Sequence, residues 1–135
     1  MKKILLLTLL VCQSVAIMAA DDPNYRKVGD LWYKLKLSND KWSAAVVAAR
    51  NSETYTGLSG EITIPATIHV DETDIDVTEI GANVFQNCTN ITSIVIKAAI
   101  TEIFPNCFKG CTGLTTINIP VTVTKINSSA FQDCI

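Results

Sequence analysis

Histidine occurs once in these 135 residues, as His69, and lysine and arginine together number 11. A lone histidine in a segment of its own offers no Ser–His–Asp or Cys–His set with a spare orienting histidine, so nucleophilic catalysis has no candidate machinery. Cys-x-x-Cys is absent, and with one histidine the cysteines do not assemble a zinc pattern. Glycine is equally sparse, at six residues, and none sits in a phosphate loop; GANVFQ (81–86) lacks the glycine spacing and the lysine that cradle a nucleotide. Arg26, Lys27, Lys34, Lys36 and Lys41 are interspersed with acids rather than clustered. There is thus no electrostatic footprint for nucleic acid or an anionic membrane. No cofactor is implied.

The longest apolar run lies at the start. Lys2 and Lys3 precede an apolar or small stretch from Ile4 to Ala19, and Ala19-Ala20 precede Asp21-Asp22. That is the layout of a secretory signal peptide, residues 1–20, too short for a comfortable membrane span. Cys12 after Leu9-Leu10-Val11 resembles a lipoprotein box, but Val11 is bulky for the position before a lipidated cysteine. Cleavage after Ala20 leaves nine basic residues against thirteen acidic ones, a net charge of −4 in place of −2. The expectation is an exported protein at the cell surface, in the periplasm or outside the cell, with no membrane span after cleavage. Export makes disulfides possible without requiring them.

What is abundant is repetition. VTEIGANVFQNCTNITSIVIKAA (77–99), ITEIFPNCFKGCTGLTTINIPVT (100–122) and the partial VTKINSSAFQDCI (123–135) align without a gap at a period of 23 residues. Val77, Ile100 and Val123 coincide, as do Ile80, Ile103 and Ile126, then Phe85, Phe108 and Phe131, then Cys88, Cys111 and Cys134. Units this short cannot bury their own apolar side, but stacked units share one core. LTTINI (114–119) alternates, so Ile117 and Ile119 point inward and Thr116 and Asn118 outward. VTKI reads as a second short arm, and NSSAFQDC as a helical or 3-10 corner with Asn127 or Ser128 as its cap. The repeated cysteines, with Cys107 in the small apolar slot of Val84 and Ala130, read as buried free thiols beside the phenylalanines. A bridge between neighbouring turns remains within reach at a spacing of about 4.8 Å. On this reading a serine at position 111 would bury a hydroxyl that lacks a partner, at a cost of about 1–3 kcal/mol.

LTTINIPVTVTKINSSAFQDC (114–134) resembles the BspA-type leucine-rich repeat, L-x-x-I-x-I-P-x-S-V-T-x-I-G-x-x-A-F-x-G-C, found in bacterial cell-surface proteins. The resemblance spans 77–135 and extends over IPATIHVDETDIDVTEIG (64–81). Lys97 stands where Pro120 does, and Phe104 and Asn127 stand where Gly81 does. The resemblance implies a β-rich solenoid, a leucine-rich-repeat right-handed coil with short helical or 3-10 corners. It also implies adhesion to matrix proteins or other cells.

The remaining segments depart from the period. ITIP (62–65) matches INIP (117–120), yet nine extra residues separate Pro65 from Val77. They form an inserted hairpin, 66–76, with Ile68/Val70 and Ile75/Val77 flanking a polar tip. Asp71, Glu72, Asp74, Asp76 and Glu79 lack the spacing and glycine of an EF-hand and read as a solvated acidic turn. LWYKLKL (31–37) and SAAVVAA (43–49) flank SNDKW, a hairpin serving as N-terminal cap, with Leu31, Tyr33, Leu35 and Leu37 on one face and Trp32 and Trp42 as packing aromatics. Residues 21–60 are thus cap and linker, and 61–135 the repeats.

The functional expectation is a non-enzymatic binding module whose outward strand rows, Glu61, Ser93 and Thr116 beside Thr63, Val95 and Asn118, meet a protein or glycan partner. A structural spacer, or a fragment of a longer surface protein, is the alternative. After Cys134 only Ile135 remains, so the strand that would cover Ile117, Ile119, Ile126 and Phe131 is missing. The expectation there is a truncated member of a longer family, or self-association through the uncapped C-terminal face.

Overall fold

The computed structural model describes residues 22–50 and 54–135. The expected signal peptide, 1–20, and the Cys12 motif lie outside them. Ten strands form three sheets and no helix is present among the described residues.

The coil is built from two parallel ladders. β4 (Gly60–Ile64), β7 (Ile91–Ile96) and β9 (Thr116–Asn118) lie side by side, pairing Ile62 with Ile94 and Ile94 with Ile117. The short arms β8 (Glu102–Ile103) and β10 (Lys125–Ile126) form the second ladder. Partners one period apart in β7 and β9, and one period plus the insert apart in β4 and β7, meet because each strand turns its isoleucines toward the core: Ile62, Ile64, Ile91, Ile94 and Ile96 are all buried. The arms are tied by side chains as well. Glu102 accepts from Asn127 Nδ2 at 2.6 Å and Lys125 Nζ at 3.1 Å. These two donors, Asn127 first, hold its carboxyl below the usual carboxylate range. Asn127, which replaces the glycine of the family pattern, also donates to Ile103 O, so the departure gains an inter-turn contact.

The corners are not helical. Bonds of the i+3→i kind do recur, from Gln86 N to Asn83 O, Cys88 N to Phe85 O, Lys109 N to Asn106 O and Cys111 N to Phe108 O. They cannot join into a 3-10 helix because two residues of each corner have left-handed backbone. Asn83, Asn106 and Ser129 share one such position; Asn87, Gly110 and Asp133 share the other. Asparagine, aspartate and glycine tolerate this conformation best. The result is a chain of tight turns, and Asn127 and Ser128 are not helix caps. At Gly110 a side chain would also run into the Asn87 amide. The reversals point the corner amides at the next coil: Phe85 N donates to Cys107 O, Phe108 N to Ala130 O, and Gly110 N to Gln132 O.

Inside the corners the aromatic rings stack. Phe85 lies 5.7 Å from Phe108 and Phe108 5.3 Å from Phe131, centroid to centroid. The stack begins one ring earlier than the repeated phenylalanines do: Tyr55 lies 5.5 Å from Phe85. Its hydroxyl donates to Val47 O and accepts from Trp32 N. Residues 54–60, read from sequence as a linker, are therefore a corner of the coil. Beside the rings, Cys111 Sγ donates to Phe85 O and Cys134 Sγ to Phe108 O, each at 3.0 Å. Cys88, Cys107, Cys111 and Cys134 are free thiols.

The N-terminal strands join the coil by extending its arm side at the first turn. β1 (Tyr25–Val28), β2 (Leu31–Ser38) and β3 (Lys41–Val47) form an antiparallel meander, and β3 pairs in parallel with β6 (Thr73–Ile80). β3 thus lies along the first arm as one arm lies along the next, with Val46 opposite Ile80 and Val46 O accepting from Gly81 N. Leu31, Tyr33 and Leu35 are buried, whereas Leu37 projects past the core and is exposed. Trp32 and Trp42 pack half-buried against the core. β5 (Thr67–Val70) folds back on β6, joined by Asp71-Glu72, both with left-handed backbone. β6 runs unbroken from the inserted hairpin into the arm. Asp74 pairs with His69, Asp76 with Lys41, and Glu79 with Lys36.

The Phe85 carbonyl changes the expectation for Cys111. A serine there keeps an acceptor, so in denaturant titration Cys111→Ser should destabilise by about 1 kcal/mol or less, below the cost of a hydroxyl without a partner. Burial raises the thiols, Cys88 to about 12 and Cys111 to about 11, with Cys107 raised further and Cys134 raised as well. Alkylation of native protein near pH 8, mapped by mass spectrometry, should modify half-buried Cys134 first and Cys107 last, all four reacting rapidly in denaturant. Equal native rates would mean that the thiol ladder is open.

Candidate functional site

Period-23 alternation sends every second side chain of β4, β7 and β9 outward, and the ladder sets their rows. Glu61 stands opposite Ser93 and Ser93 opposite Thr116; Thr63 stands opposite Val95 and Val95 opposite Asn118. All six expected residues therefore share one face. Glu61, Thr63, Thr116 and Asn118 are exposed, while Ser93 and Val95 in the central strand are half-buried.

The six are not equally available. Asn118 Oδ1 accepts from Ile96 N at 2.6 Å, so its carbonyl serves the neighbouring strand. Ser93 Oγ donates to Glu61 Oε2 at 3.4 Å, a long contact between exposed groups. Among the described residues the side chains of Thr63, Val95 and Thr116 make no hydrogen bond, and they present a methyl-and-hydroxyl surface. Such a face can hydrogen-bond and exclude a little water, but it holds neither a nucleophile with a base nor a set of metal ligands.

A cleft that the repeat pattern does not announce opens at the β4 end of this face. It has a volume of about 380 Å³ and lies between the β1–β2 turn, β4 and β5. Its floor is Leu31, Tyr33, Ile62 and Ile68, all at most 9 % exposed. Burial raises the Tyr33 phenol to about 12, so the floor is uncharged at neutral pH. Asp30, Glu61, Thr63 and His69 stand among its lining residues. Only β4 belongs to the regular coil, and the other walls come from the insert and the meander, so the repeat period carries no sign of it. The one available signal was the insert itself.

The family described as the BspA type leucine rich repeat region (6 copies) matches residues 61–135, and the chain belongs to it. A search of curated proteins gives no match. Solved structures share the fold. A leucine-rich repeat protein from Bacteroides ovatus is 24 % identical with a TM-score of 0.64, the match covering 81 % of this chain and 27 % of that one. One from Bacteroides capillosus is 21 % identical with a TM-score of 0.63, covering 80 % and 74 %. A leucine rich cell surface protein from Faecalibacterium prausnitzii is 24 % identical with a TM-score of 0.57, covering 85 % and 35 %. The chain thus spans under a third of the Bacteroides ovatus protein. No enzyme is named among these matches. Among the described residues no helix is long and apolar enough to cross a membrane.

Proposed function

We propose that the chain is an exported, non-enzymatic binding module whose β4–β7–β9 face meets a protein or glycan partner at the cell surface. The observation that carries this reading is the division of labour along each strand. Inward residues make the core, while the side chains of Thr63, Val95 and Thr116 make no hydrogen bond among the described residues. Export is supported by the charged and apolar start of the sequence and by the cell-surface description of the Faecalibacterium prausnitzii neighbour. Intact-mass measurement of secreted or periplasmic material should find an N-terminus at or next to Asp21; material beginning at Met1 in the membrane would overturn it.

The face is tested by pull-down from extracellular-matrix proteins and by glycan arrays, using wild type beside Val95→Arg and Thr116→Arg. Bulky charge in the middle of the rows should weaken a captured partner by about tenfold or more while leaving the melting temperature nearly unchanged. Undiminished capture by both variants would move the contact elsewhere. A chain that captures nothing would favour the spacer reading.

A specific observation also supports self-association. β9 and β10 each end their ladder, and Ile119, Val121, Ile126 and Ile135 are exposed beside them. Unpaired backbone next to apolar side chains is a template for another strand. Light scattering should detect dimers or larger species that Ile126→Lys with Val121→Lys returns to monomer. A wild-type monomer at high concentration would sink this reading.

A further inference from the structure

The cleft at the β4 end has two properties that together specify an occupant. The first is open backbone. β4 ends the three-stranded sheet and β5 ends the five-stranded one, so each has an edge that pairs with no described strand. The cleft is lined by three consecutive residues of each, 61–63 and 67–69. Consecutive strand residues point to opposite faces, so a wall containing both kinds is a strand edge, not a face. An edge offers main-chain donors and acceptors at fixed spacing, and what satisfies them best is another extended chain.

The second property is charge. Asp30 and Glu61 line the cleft, and among the described residues no lysine or arginine does. Among the described residues neither carboxylate has a cationic partner, and Glu61 accepts only the long contact from Ser93 Oγ, whereas Asp76 and Glu79 pair with Lys41 and Lys36. His69, which also stands on the rim, is itself held to Asp74 at 2.8 Å. An apolar, uncharged floor beneath two carboxylates without a cationic partner suits a side chain with an apolar stem and a cationic head.

We propose that this cleft binds an extended peptide segment of a protein partner, its backbone pairing with the β4 edge and an arginine or lysine directed to Asp30 and Glu61. This deepens the binding-module reading and rests on it, naming a basic peptide as the partner at that end of the face. The volume of about 380 Å³ lies toward the lower end for ligand clefts and accommodates a short stretch, with flanking residues outside.

The probe is the peptide acetyl-Thr-Val-Arg-Val-Thr-amide, titrated into the full chain and followed by ¹H–¹⁵N NMR. Amides of Leu31, Ile62, Thr63 and His69 should shift saturably, and raising salt should weaken the effect. The peptide with glutamate for arginine should bind at least about tenfold more weakly, and so should the arginine peptide with its central amides N-methylated. Asp30→Asn with Glu61→Gln, both at exposed positions, should cost on the order of tenfold for the arginine peptide, with the melting temperature confirming the fold. The proposal is overturned if no peptide shifts these amides at millimolar concentration, if the glutamate peptide binds equally, or if N-methylation has no effect. Shifts confined to Ser93, Val95 and Thr116, or saturable occupation of the cleft by an oligosaccharide instead, would overturn it while leaving the binding-module reading intact. Conversely, Val95→Arg can remove capture by the face without touching peptide binding here, so the two readings fail separately.

Discussion

Turn is held to turn by one contact made repeatedly. A phenylalanine ring lies on the ring 23 residues away, and beside it a thiol reaches the carbonyl of the ring before. Each ring contact adds only about 0.5–1.5 kcal/mol beyond its burial. Its importance lies in registration. The rings fix the corners one above another, and the corner amides and the strands can then bond only to their counterparts a period away. Cysteine suits the slot beside the ring because it is small and apolar, yet has a weak second donor for a carbonyl that already accepts one corner amide. The same constraint explains Tyr55. A stack that needs a first ring also needs that ring anchored, and the tyrosine hydroxyl does this by bonding Val47 O and Trp32 N, joining the coil to the meander.

The period was legible because every stacked contact recurs at the same offset. Thus Phe85, Phe108 and Phe131, the four thiols, and the outward rows of β4, β7 and β9 could be placed from spacing alone. The corner conformation was misread as helical, although its signal stood at fixed offsets too: asparagine, asparagine and serine at 83, 106 and 129, and asparagine, glycine and aspartate at 87, 110 and 133. Those residue types favour left-handed backbone, and two such residues per corner prevent a helix. Tyr55 escaped because it lies 30 residues before Phe85 rather than 23, so no alignment at the period reaches it. Asn118 was counted as outward and available. Its bond to Ile96 N comes from a side chain curling back to a neighbouring strand, which alternation cannot foresee.

The insert shows how a departure from the period is absorbed. Nine extra residues would break the ladder if they lay within it. Instead they leave as β5, return along β6 and rejoin the arm without interrupting the strand. Their acids are matched by lysines of β2 and β3 at Lys36 and Lys41, exposed pairs worth at most about 1 kcal/mol each. Such pairs contribute orientation more than stability. They hold the hairpin against the meander, and that position leaves the edges of β4 and β5 beside the β1–β2 turn, where Gly29 takes the left-handed conformation a two-residue hairpin needs.

Stability and the proposed recognition therefore draw on different residues. The inward half of each repeat is under one constraint, the ring, thiol and isoleucine stack, which is satisfied in much the same way in every turn. That uniformity makes the fold readable and its surface uninformative, since identical turns present nearly identical faces. Distinctive chemistry arises where the period is broken, because only there do residues from unrelated segments converge. In this chain the break is the Pro65–Val77 interval, and its convergence of an apolar floor, two strand edges that pair with no described strand and two carboxylates without a described cationic partner has no counterpart along β7 or β9. In a repeat of this construction, chemistry that differs from turn to turn is confined to its irregularities.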